Sequence, residues 1–92
     1  MKFTYLRQSS RTEAEQRYIH AALGIWSALP EQRRVEARRL MEDIADDPGE
    51  ARALFSMLTR GATPQWVCAH TGIQIDRLYR MRVEFYDRFL IA

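Results

Sequence analysis

Between residues 74 and 83, Gln74, Ile75, Arg77, Tyr79, Arg80 and Val83 have the side-chain types that read base-pair edges. The fork of Arg80 can hold guanine through two hydrogen bonds, and the amide of Gln74 can do the same with adenine. Tyr79 or Ile75 can meet a thymine methyl group. On a single helix these residues face away from Leu78 and Met81, which lie one turn apart on the apolar side. Asp76 works against this chemistry. A carboxylate at the entering end of such a helix repels phosphate unless it accepts from cytosine or orients an arginine.

The flanking residues supply the elements that would position this helix. Thr63 can cap a helix whose first turn holds Pro64, which has no amide to lose there. Gly72 provides the left-handed backbone of a sharp turn. The small Cys68, the turn glycine and Leu78 keep helix-turn-helix spacing, with Val67 and Cys68 facing Leu78 and Met81. The pattern predicts a helix-turn-helix at residues 63–90 whose second helix is offered to a major groove. Thr63, Gln65, Arg33 and Arg34 are the expected phosphate contacts. Two positions depart from the usual pattern. Thr71 stands where an apolar residue is commoner, and Gln74 or Ile75 opens the second helix where Ser or Thr caps better. A purely architectural helical corner fits the same spacing.

Upstream, residues 1–11 hold Lys2, Arg7 and Arg11 with no acid, and Phe3 alternates with Tyr5. This reads as a basic arm with a short strand, followed by a helical domain over 12–92. Thr12 and Glu15 form a capping-box pair that opens a first helix. Its stripe is Tyr18, Ala22, Ile25 and Leu29, widened by Ile19, Leu23 and Trp26. Pro30 starts a second helix reaching Ala45, with Ala37, Leu40, Met41 and Ile44 inside. Asp47, Pro48 and Glu50 start a third, which carries Ala53, Leu54, Met57 and Leu58 and ends at Gly61. The expected fold is all-α: a single domain of about five helices, the last two forming the turn motif.

Catalysis and metal binding find no constellation. His20 and His70 are far apart, no serine sits in a Gly-x-Ser-x-Gly elbow, and Cys68 has no second cysteine for a zinc site. Cys68 reads as a small core residue and His70 as a surface helix residue. Glu42, Asp43, Asp46 and Asp47 read as a solvated helix end, lacking the glycine of a calcium loop. Arg33, Arg34, Arg38 and Arg39 form a basic ridge, offset by Glu31, Glu36, Glu42 and Asp43 on the same helix. No enzyme, no cofactor and no metal is expected.

Composition sets wide bounds. The 92 residues are 47% hydrophobic, enough to bury a core and too apolar for a disordered chain. The net charge of +2 permits nucleic-acid binding without requiring it. All the basic residues but Lys2 are arginines, whose planar fork suits phosphate. No apolar run is long enough for a membrane span, and the single cysteine suits a cytoplasmic protein.

The stretch from Leu58 through Thr59-Arg60-Gly61-Ala62-Thr63-Pro64-Gln65-Trp66-Val67, then Thr71 to Arg80, resembles the N-terminal segment of the C subunit of the bacterial flagellar master activator. The resemblance implies that Gly61, Ala62, Gln65, Thr71, Arg77, Leu78 and Tyr79 occupy that family's motif, with Arg77 and Arg80 near DNA. That family continues into a cysteine-rich zinc domain, which this sequence lacks. The expectation is therefore a small stand-alone transcriptional regulator of mobile-element or phage type. It would bind double-stranded DNA as a homodimer, because one short motif contacts too few base pairs. The alternative is a helical protein-binding module, an adaptor or inhibitor that makes no DNA contact.

Overall fold

In the computed structural model, which describes residues 2–91, the chain forms α1 (Glu13–Gly24), a short 3-10 turn (Trp26–Ala28), α2 (Glu31–Ile44), α3 (Pro48–Arg60), α4 (Pro64–Thr71) and α5 (Ile75–Arg88). Met1, at the start of the expected arm, and Ala92, at the end of the apolar tail, lie outside the described residues. Among the described residues there is no strand, and no helix is long and apolar enough to cross a membrane. The radius of gyration is 12.2 Å. A single packed domain of this length has a value of about 12 Å, so the helices share one core.

Local chemistry sets most of the helix ends. Thr12 and Glu15 form the full capping box: Glu15 N–H donates to Thr12 Oγ1, and Thr12 N–H donates to Glu15 Oε1. Asp47 accepts from Glu50 N–H and Thr63 from Trp66 N–H, each ahead of a first-turn proline. Gly61 closes α3 at φ 72° in the left-handed region, where residues with a Cβ are strained.

The first helix is shorter than its periodicity predicts, and it is rotated. It ends at Gly24, a poor helix former, and a 3-10 turn carries the chain to Pro30. Its buried stripe is Gln16, Ile19 and Leu23, whereas Tyr18 and Ile25 are 51% and 58% exposed. A polar residue at the centre of the stripe explains the misreading. The fully buried Gln16 accepts from Leu6 N–H (2.7 Å) and donates to the carbonyls of Leu6 (3.0 Å) and Arg11 (3.1 Å). One amide thus replaces the pairing that a strand would give residues 2–11, and the expected strand does not form. Leu6 is drawn into the core. Phe3 packs edge-on to His20, with the Arg17 guanidinium over its ring.

The apolar C-terminus belongs to this same core. Phe85 and Phe89 stack on each other at 5.1 Å, and Phe89 is only 2% exposed. Arg11 donates to the carbonyls of Tyr86 and Phe89, and Arg33 lies over the Phe89 ring. The apolar residues Phe85, Phe89, Leu90 and Ile91 suit either a dimer face or the core of their own chain; Phe85 and Phe89 are buried within one chain, and Leu90 is exposed. Phe89→Ala should cost about 3–5 kcal/mol of stability, read by chemical denaturation. A loss below 1 kcal/mol would show that Phe89 packs against nothing in the isolated chain.

Candidate nucleic-acid interface

The corner between α4 and α5 is three residues, Gly72, Ile73 and Gln74. Gly72 adopts φ 77°, ψ 0°, and its N–H donates to Cys68 C=O at 2.9 Å. No atom lies within 4 Å of where a Cβ would stand. The constraint on residue type is therefore conformational and not steric. Thr71, the unusual residue of the motif, braces the turn. Its hydroxyl donates to Val67 C=O (2.7 Å) and accepts from Ile73 N–H (3.2 Å). Gln74 is the N-cap of α5 and makes no capping bond with its side chain, as its type predicts.

Val67, Leu78 and Met81 are buried where the two helices meet, with Cys68 half-buried against the core. This leaves Gln74, Asp76, Tyr79 and Arg80 on the solvent side of α5, with Gln65 and Trp66 beside them on α4. Tyr79 is 37% exposed, and its hydroxyl accepts from Gln65 Nε2 at 3.0 Å, a bond that joins the exposed faces of both helices. Trp66 stacks on His70 at 3.9 Å, and His70 Nδ1–H donates to Trp66 C=O. Ile75 and Val83 are half-buried at the edges of this face. Thr63 is exposed, and its hydroxyl oxygen caps α4.

Three of the expected contacts are placed elsewhere. Arg77 turns inward: its guanidinium donates to Glu50 (2.9 and 3.2 Å) and to Ile44 C=O (3.0 Å), with Asp46 at 3.5 Å. It ties the end of α2 and the start of α3 to α5, and its neighbourhood is carboxylate. Sequence spacing put Arg77 on the outer face because Glu50 is 27 positions away. Arg33 is used by Glu36 and the Leu90 carbonyl, and Arg34 by the carbonyls of Ser27 and Leu29. Both hold chain ends and turns together and are not free for phosphate.

Residues 4–8 provide what the sequence reading missed. Held at Leu6 by Gln16, they run alongside α5 and border a groove of about 520 Å³, with Tyr79, Arg80, Arg82 and Val83 on its other wall. Further along the arm, Ser9 Oγ and Ser10 N–H donate to Asp87 at 2.6 and 2.8 Å, so the chain is fastened at Leu6 and again at Ser9 and Ser10. Arg82 is half-buried, its guanidinium 5.3 Å from the Tyr79 ring centre, and burial pushes its pKa down. Only the lack of an acid in residues 1–11 signalled this segment beforehand. Among the described residues, no group of three His, Cys, Asp or Glu is placed to hold a metal ion.

Comparison of the chain with protein-family models, with curated proteins and with solved structures finds no match. The functional reading therefore rests on the geometry alone.

The inward Arg77 gives a test in which pH has a definite sign. Its hydrogen bonds, followed by that of Asp46 N–H, hold the Glu50 carboxyl below its ordinary 4.5. A lowered folded-state value means that the pair stabilises above pH 4.5 and stops doing so as pH falls through the folded value. Arg77→Met should cost about 1–3 kcal/mol at neutral pH, because it strands a half-buried carboxylate. That deficit should shrink as acid protonates Glu50. Denaturation across pH checks this, and a deficit that is constant down to the lowest pH at which the chain folds would contradict the pairing.

Proposed function

We propose that the protein is a small DNA-binding regulator that lays the outward face of α5 in a major groove and acts as a homodimer. One observation supports this reading above the others. The turn at Gly72 leaves Gln74, Tyr79 and Arg80 facing solvent, and Arg80 has no ion pair or hydrogen bond to any described residue. An exposed guanidinium on a braced helix, with an exposed amide at that helix's N-cap, matches the donors and acceptors along base edges. Arg77, given a base contact by the sequence and by the flagellar resemblance, has no part in this surface. Asp76 remains in the first turn of α5, where its charge favours the helix dipole and limits how closely a phosphate can approach.

A protein-binding module stays in view for a specific reason. Tyr18 on α1 and Ile25 at its C-terminal cap are both more than half exposed. Exposed apolar side chains suit a protein partner better than a nucleic acid.

Titration of the full chain with duplexes of random and genomic sequence, at several salt concentrations, separates the two readings. DNA-binding predicts affinity that rises steeply as salt falls. Arg80→Ala should cost about 1–3 kcal/mol on the preferred site and relax preference at one position. Negligible affinity at every salt concentration would end the DNA reading, and an equal loss on all sequences would make Arg80 a phosphate contact. Gly72→Ala should cost about 1 kcal/mol of stability and Gly72→Val more, since both force a Cβ into the left-handed region. A neutral Gly72→Val in a thermal melt would remove the turn on which the reading depends.

A further inference from the structure

Of the thirteen arginines, six are held by acceptors of the chain, and Arg7, Arg38, Arg39, Arg52, Arg60, Arg80 and Arg82 have no ion pair or hydrogen bond to a described residue. Arg11, Arg17, Arg33, Arg77 and Arg88 each have a carboxylate within 4.0 Å, and Arg34 donates to backbone carbonyls. Three of the seven without such partners lie together around the groove between residues 4–8 and α5. Arg7, Arg80 and Arg82 all line it, and none has an ion pair or hydrogen bond to a described residue. Asp76 is the one carboxylate along its walls. Arg82 is the most telling of the three. Its Nε is buried and is, among the described side chains, the one buried nitrogen or oxygen without a hydrogen-bond partner.

A buried donor on a cation is costly to leave empty, and native folds rarely do so without a reason. Here the Tyr79 ring meets the face of the guanidinium, and the buried Nε–H is left unmet. The other wall is preset. Gln16 grips both backbone groups of Leu6, so the neighbouring Arg7 starts from a fixed point instead of a loose terminus. Guanidiniums lining one groove beside Tyr5 and Tyr79 have the chemistry of an oxyanion receptor, because arginine forks match the paired oxygens of a phosphate group.

We propose that this groove is a phosphate-binding site, built by Arg7 and Arg82, that grips the sugar-phosphate backbone of a nucleic acid. The proposal rests on the DNA reading for the source of the phosphate, but not for the chemistry of the site. Arg82 and the arm fix the register of the duplex, and the exposed tip of α5 meets its bases.

The test uses the full chain, with Arg7→Ala and Arg82→Gln variants checked for folding by thermal melt. Arg7 is exposed and outside the core, so its variant keeps the question open if Arg82→Gln does not fold. Random-sequence duplex is titrated at several salt concentrations. Each variant should weaken binding on all sequences alike, by roughly eightfold at 0.1 M salt, and lower the slope of log affinity against log salt by about one. In a second arm, inorganic phosphate and pyrophosphate are titrated while the Arg82 Nε–H resonance is followed by NMR. The resonance should shift on saturation, and less so in Arg7→Ala. If duplex binds but both variants keep the full slope, the groove proposal is overturned and the DNA reading stands. If duplex does not bind while phosphate shifts Arg82, the DNA reading falls and with it the backbone assignment, leaving a site for a small phosphate compound. If neither ligand shifts Arg82, the groove is not a phosphate site.

Discussion

A single left-handed residue decides what the surface of this protein offers. At Gly72 the chain leaves α4 and enters α5 within three residues, and the direction of that turn sets which side of α5 meets the core. With Leu78, Met81 and Phe85 turned inward, Tyr79, Arg80 and Glu84 between them face out. Nothing fills the space beside Gly72, so its demand is purely one of backbone conformation. Thr71 strengthens the turn by accepting an amide hydrogen from beyond it and donating to the helix before it. What looks like a defect of the motif is part of its bracing.

The rest of the structure supports the corner through arginine. Arg77 joins α2, α3 and α5 through one guanidinium, and Arg11 holds the end of α5 while the serines before it hold Asp87. These contacts fix α5 from behind and fasten the N-terminal segment along its flank. Consequently the face opposite them has few carboxylates to pair with its own arginines. A net charge of +2 conceals this division, because acids and bases are spread unevenly over the surface.

Much of the fold was legible because it depends on local signals. Thr12 with Glu15, Asp47 with Pro48, Thr63 with Pro64 and the glycines at 61 and 72 mark helix ends through neighbours within a few positions. The failures share the opposite property. Gln16 is buried because its amide serves the backbone of Leu6, and no periodicity registers a polar residue at the centre of an apolar stripe. Arg77 faces inward because Glu50 waits there, and the outer edge of Arg33 is taken by the chain's far end. Pairing over such separations is set by tertiary packing, so the sequence reading placed α5 as a helix and mistook the side to which Arg77 turns.

Amide chemical-shift mapping of the full chain with a short duplex tests the central claim most directly, since it locates contact without assuming any residue's role. The account predicts shifts confined to residues 4–8, 63–66 and 74–83, weakening as salt is raised. Shifts centred instead on the exposed side of α1 or between α2 and α3, or none at low salt, would contradict it.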